Sequence, residues 1–233
     1  MKLIGVTGKS GAGKTTFSNV MSQNYNFGVI HVDDLLRELK LKYFRLIMNT
    51  NNKGEKTKVN GKLKMMLYKN KLIFHLFMKF RAKLLKKRIN SKIKELQDNG
   101  KDTIIIDDIF IKFLHIYNDL DKVFIIERPY KERKEALKKR DNLTLQEIVA
   151  YDIAHFKGVY NDVSIGNNVE KILNNESKES FMNKAKEIYN KYFISSKEQF
   201  KRGLNNDVTN NNAEYQEQKQ PEIKKNKAKA IEK

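Results

Sequence analysis

Gly8-Lys9-Ser10-Gly11-Ala12-Gly13-Lys14-Thr15 is the stretch that decides the fold. A glycine, four residues, then Gly-Lys-Thr is the spacing of a phosphate-binding loop. Residues 2–6 are a short β-rich run and residues 14–23 read as a helix, so the loop falls between a strand and a helix, as this motif requires. The residue types fit the chemistry. Gly8, Gly11 and Gly13 let backbone N–H groups and a helix N-terminus approach phosphate oxygens. Lys14 adds a point charge at the β- and γ-phosphates, and the Thr15 hydroxyl is a natural inner-sphere ligand for Mg²⁺. The expected contacts to the nucleoside triphosphate therefore run from Gly8 through Lys9, Ser10, Gly11, Ala12, Gly13, Lys14 and Thr15 to Thr16.

Strand-like and helix-like segments alternate outward from this loop. Residues 28–32 read as a second strand ending at Asp33-Asp34, and residues 35–48 follow with helical periodicity. Residues 49–61 form a polar loop. From Leu63 to Leu96 apolar residues recur mostly at intervals of three, four and seven, which predicts long helical structure with a bend or break along it, closed by Asn99-Gly100. Thr103-Ile104-Ile105-Ile106 is a buried-strand run closing on Asp107-Asp108, and residues 122–126 are a fourth strand. Residues 130–140 and 144–156 read as helices, the second opened by a capping box of Thr144 and Glu147. Residues 163–165 are the expected fifth strand and residues 179–193 a last helix. This order implies an α/β fold with a doubly wound, five-stranded parallel sheet, whose ligands bind at the carboxyl ends of the strands. One domain, 1–195, is expected, with a central helical region at about 49–99, a lid at about 130–157 and a polar, disordered tail at 196–233.

Composition narrows the chemistry. The 233 residues contain no cysteine, which excludes a disulfide framework, a thiolate zinc site and a thiol nucleophile. No apolar run reaches the length of a membrane span and the N-terminus carries no signal-like segment, so a cytoplasmic protein without a membrane partner is expected. The formal net charge is +19. Lysine and asparagine are abundant throughout, including in loops, so this charge reads as a compositional bias more than as a patch built for nucleic acid.

Two acidic pairs stand at strand ends. Asp33 closes the second strand, where a carboxylate would face the γ-phosphate and could take the proton of an acceptor hydroxyl; helix N-capping is the other use for Asp33 and Asp34, and the choice within the pair stays open. Asp107, with Asp108 as the alternative, has the form of the strand-end carboxylate that holds Mg²⁺ directly or through water. Arg133, Lys138, Lys139 and Arg140 load one helix with positive charge ahead of Asp141, as a lid over polyphosphate requires; a solvated basic helix would look the same, Arg140 least so. His75, His115 and His155 lack metal-ligand spacing and read as surface or packing residues.

Together these residues resemble the dephospho-CoA kinase family, whose members phosphorylate the ribose 3′-hydroxyl of dephospho-CoA with ATP, the last step of coenzyme A biosynthesis. The likeness lies in Leu3-Ile4-Gly5-Val6-Thr7-Gly8 and in Phe27-Gly28-Val29-Ile30-His31-Val32-Asp33, similar to the family's "G-x-x-V-I-D-A-D". It continues in Lys139-Arg140-Asp141-Asn142-Leu143-Thr144, similar to the family's lid signature, and in residues 162–168, similar to the segment running into its adenine loop. The resemblance implies a P-loop kinase with a helical acceptor-binding insertion. Asp33 would be the general base, Lys14 and Arg140 would act on the phosphates, Thr15 and Asp107 would serve Mg²⁺, and Asn167 would lie near adenine. A small-molecule acceptor and a monomer or weak homo-oligomer follow.

The departures cluster where the acceptor is held. His31 replaces the first Asp of the family's pair, no His-Pro stands near Arg81-Ala82, and Asp107-Asp108-Ile109-Phe110 departs from "D-x-P-L-L". Two alternatives share the nucleotide half: a kinase for another small acceptor, such as a nucleoside or nucleotide, and a nucleotide-binding protein whose acceptor site has decayed.

Overall fold

Ile104, Ile105 and Ile106 are all fully buried in β3 (Thr103–Asp107), so this strand is covered on both faces. Under that condition a parallel strand loses its in-and-out alternation and becomes a continuous apolar run. The structure, a computed structural model, describes residues 1–38, 70–141, 144–146, 148–149, 152 and 168–194. β3 pairs on one side with β2 (Gly28–His31) and on the other with β1 (Lys2–Thr7); β1 pairs with β4 (Lys122–Glu127), and β4 with β5 (Val169–Leu173). All four pairings are parallel and give one five-stranded sheet in the order β2-β3-β1-β4-β5.

Helices cover both faces. Leu85 and Ile89 of α3 (Lys71–Asp98) are buried in one cluster with Ile104 and Ile106 of β3 and Val123 and Ile125 of β4. Phe124 alternates with Val123 and Ile125 and so faces the other way, where it meets Phe17 of α1 (Lys14–Tyr25) at 5.5 Å between ring centroids. The doubly wound α/β arrangement expected from the sequence is the observed one.

Boundaries moved in places. β2 stops at His31 and α2 (Val32–Glu38) begins at once, so Asp33 and Asp34 sit in the first helical turn, where the macrodipole favours negative charge. α3 is unbroken over its 28 residues and begins after Asn70, whose backbone is extended, an interruption within the expected helical run, while residues 63–69 lie outside the described residues. The Asn70 side chain accepts from the N–H groups of Leu72 and Ile73 at its start. At its end Gly100 N–H donates to Gln97 and Lys101 N–H to Leu96, the pattern that satisfies the last carbonyls.

The sheet's fifth strand is Val169–Leu173; residues 163–165, expected to supply it, lie outside the described residues. α4 (Tyr130–Asp141) is close to expectation. Of the helix expected at 144–156, Leu145, Gln146, Ile148, Val149 and Asp152 are helical, and Ile148 N–H donates to Thr144 O at 3.1 Å; Glu147 of the expected capping box is outside the described residues. The expected loop 49–61 and tail 196–233 also lie outside them. α5 (Lys178–Phe193) is the last helix.

The chain divides into two units, Met1–Ala185 and Lys186–Lys233. Of the second, the end of α5 is described, where Tyr189 and Phe193 stack at 5.9 Å. Among the described residues no helix is long and apolar enough to cross a membrane.

Candidate active site

The loop after β1 is wedged between three other parts of the fold. Gly8 has φ +144°, and a Cβ there would lie 2.3 Å from the carbonyl oxygen of Ile126 at the end of β4. Gly13, the residue before α1, has φ +110°, and its Cβ would lie 2.5 Å from Asn174 Nδ2. Both positions therefore need glycine for backbone shape and for contact distance. Between them Gly11 lies against Arg133 and Leu137 of α4.

Those contacts are reinforced by side chains that no local pattern announces. Asn174, one residue past β5, donates from Nδ2 to Ala12 O at 2.7 Å and from its backbone N–H to Glu127 O at 2.7 Å. Arg133 is 2% exposed: it donates to both carboxylate oxygens of Asp152 at 2.7 and 2.6 Å and to Ser10 O at 3.3 Å. This corrects the grouping of Arg133 with the lid's phosphate-facing charges, since its guanidinium is committed to bolting α4 onto the loop. Arg140, at the other end of α4, is exposed, and its charge is felt at Lys14.

Lys14 Nζ donates to the carbonyls of Gly8 at 3.0 Å and Lys9 at 3.4 Å. Burial pushes its ammonium below the usual lysine range; Asp107, Asp33 and Asp108 act in the opposite direction, and Arg140 adds to the lowering. Thr15 is exposed and Thr16 half-buried on the first turn of α1.

Each of the acidic residues has a different environment. Asp107 Oδ2 lies 3.5 Å from Thr15 Oγ1 and 3.1 Å from His31 Nδ1. Asp108 accepts from Arg81 of α3 at 2.9 and 2.7 Å, a pair whose side chains are 4% and 1% exposed. Burial raises the Asp108 carboxyl above its usual range; Arg81 opposes this and Asp33 adds to it. The Arg81 guanidinium also lies 5.7 Å over the Phe110 ring, and Phe110 is buried with Phe74 and Met78. Asp33 is exposed, and its charge is felt at both Lys14 and Asp108. Asp34 pairs with Arg37. The structure thus brings Lys14, Thr15, Asp33 and Asp107 to one end of the sheet, while Asn167 lies outside the described residues.

A hydroxyl and a carboxylate at this spacing form a hard-oxygen donor set that suits Mg²⁺. Among the described residues no group of three or more His, Cys, Asp or Glu could hold a metal ion. The remaining ligands would have to be phosphate oxygens and water, as is usual for Mg²⁺ held with a nucleotide. Of the other histidines, His115 Nε2 meets Asn90 Oδ1 at 2.8 Å, and His75, exposed on α3, lies edge-on to Phe113 at 6.5 Å between centroids. His155 is outside the described residues.

No family model matches the chain, and no curated protein matches it. Solved structures do. TT1252 from Thermus thermophilus superposes with a TM-score of 0.57 at 15% identity, over 83% of this chain and 98% of that one. What is shared is the fold. A sugar kinase from Janibacter sp. gives 0.45 at 12% identity over 79% of this chain and 92% of that one. The dephospho-CoA kinase from Campylobacter jejuni gives 0.44 at 19% identity over 81% and 96%.

Proposed function

We propose that the protein is a phosphotransferase that moves the γ-phosphoryl group of ATP to a hydroxyl of a small-molecule acceptor, and that the acceptor is dephospho-CoA. The observation that carries the reading is the meeting of Lys14, Thr15, Asp33 and Asp107 from three adjacent strand ends. Asp107 stands by Thr15, and the charges of Asp33 and Asp107 both act on Lys14. The acceptor follows from the sequence likeness in residues 27–33 and 139–144.

In this reading the loop amides and Lys14 hold the β- and γ-phosphates, and Thr15 and Asp107 would hold Mg²⁺, which would supply charge neutralisation when bound. Asp33 orients the acceptor hydroxyl and takes its proton as the new O–P bond forms; the bond from the γ-phosphorus to the bridging oxygen breaks and ADP leaves. By the family likeness Arg140 would meet the phosphates from α4, and Asn167 would serve the adenine. Most of the catalysis is positioning and charge neutralisation, so a rigid loop matters. Arg133 and Asn174 supply that rigidity from two sides.

One observation favours a second reading, a different acceptor on the same nucleotide site. Asp108 and Phe110, where the chain leaves the family's pattern, are taken up by Arg81 and by the cluster of Phe74 and Met78. ADP release from ATP and Mg²⁺ with dephospho-CoA, compared with a panel of nucleosides and nucleotides, separates the two. Stimulation by dephospho-CoA alone is expected. Stimulation by a nucleoside alone would reassign the acceptor, and no stimulation by any of them would leave a binding protein.

A further inference from the structure

His31 ends β2 and is paired in register with Asp107, the last residue of β3. Its Nδ1 lies 3.1 Å from Asp107 Oδ2. A carboxylate oxygen accepts, so Nδ1 carries the proton and donates. That same oxygen lies 3.5 Å from the Thr15 hydroxyl. Asp107 is therefore gripped from the neighbouring strand on one side and meets the first turn of α1 on the other. The sheet does not need this side-chain pair, because β2 and β3 are already laddered by backbone from Gly28 opposite Ile104 to His31 opposite Asp107. What the imidazole adds is a fixed direction for the carboxylate.

We propose that His31 is a positioning residue for the divalent cation that Thr15 and Asp107 share. By donating to Oδ2 it holds the carboxylate toward the Thr15 hydroxyl, so the two oxygens are already set at the spacing a cation and its nucleotide require. The proposal rests on the phosphotransferase reading for the presence of that cation. An outer partner that orients a ligating carboxylate is typically worth about 10- to 100-fold in metal affinity. An aspartate at position 31 could not donate to Asp107 and would instead set two like charges side by side.

The test uses the full chain with Mn²⁺ as a spin probe and a non-hydrolysable ATP analogue. Free Mn²⁺ is read by electron paramagnetic resonance, and analogue affinity is measured separately without metal. His31→Ala is expected to weaken Mn²⁺ binding about 10- to 100-fold while metal-free analogue affinity stays at the wild-type value. His31→Asn, whose amide N–H can still donate, is expected to recover most of the loss. Should alanine disturb the cooperative melt, His31→Leu serves as the second donor-free variant. Wild-type Mn²⁺ affinity in the donor-free variants would overturn the proposal, as would an asparagine variant as weak as the alanine one. If the wild-type chain with analogue takes up no Mn²⁺, the phosphotransferase reading falls together with it. If the wild type binds and His31→Ala matches it, the positioning role alone falls.

Discussion

Asp107 and Asp108 are neighbours in sequence, both are buried, and they belong to different parts of the molecule. Asp107 belongs to the phosphate-loop side, where its partners are a threonine hydroxyl and an imidazole at 3.5 and 3.1 Å. Asp108 belongs to the central-helix side, closed off by N–H groups of both terminal guanidinium nitrogens of Arg81. The difference shows how one strand end serves two purposes. A carboxylate engaged at one oxygen can offer the other to a cation, whereas one bound at both oxygens by a buried arginine anchors α3 to the sheet.

The comparison breaks hardest at Arg81. Arg81→Met leaves Asp108 buried without its counter-charge and should cost about 3–5 kcal/mol of stability in urea unfolding. Arg81→Met combined with Asp108→Leu should regain most of that, because no buried charge is left unpaired. A single variant as stable as wild type would mean that the pair is not a structural anchor.

Asp107 should behave in the opposite way. Asp107→Asn is expected to leave the urea midpoint close to wild type and to lower acceptor-dependent turnover about 100-fold, the scale of losing one aimed charge-stabilising group. Equal losses of stability from Asp107→Asn and from Arg81→Met would erase the distinction between the two sides.

A smaller effect sharpens the account of the loop itself. Asn174→Ala removes the donor to Ala12 O and leaves that carbonyl without its side-chain partner, at an expected cost of about 1–3 kcal/mol by thermal or urea unfolding. ATP affinity should fall with it, since the loop loses a brace. Unchanged affinity would show that the Asn174 bond does not set the loop's shape.

The parts of this design that were legible in the sequence are the local ones. Residues 8–15 carry their meaning in spacing, and β1, β3 and β4 show as apolar runs because strands covered on both faces have no polar side to display. β5 is hard to read for the converse reason: in Val169–Leu173 only Ile172 is buried, so this edge strand shows little apolar signal, whereas the sequence of Val163 and Ile165 alternates in a strand-like way. The anchors were invisible because their partners are far apart. Arg81 and Asp108 are separated by 27 positions, Arg133 and Asp152 by 19, and Asn174 and Ala12 by 162, and no periodicity links such pairs. Asp33 and Asp34 likewise differ in a way only coordinates show: Asp34 is paired with Arg37, while the charge of Asp33 acts on Lys14.

That last difference gives the most direct test of the proposed chemistry. ADP release from ATP and Mg²⁺ with dephospho-CoA should be compared for wild type, Asp33→Asn and Asp34→Asn, with ATP affinity measured alongside. Acceptor-dependent release that falls by about 10²- to 10⁴-fold in Asp33→Asn, with ATP still bound and Asp34→Asn near wild type, is the expected result. Wild-type turnover in Asp33→Asn, or a loss confined to Asp34→Asn, would contradict the assignment of Asp33 as the base and with it the proposed geometry of transfer.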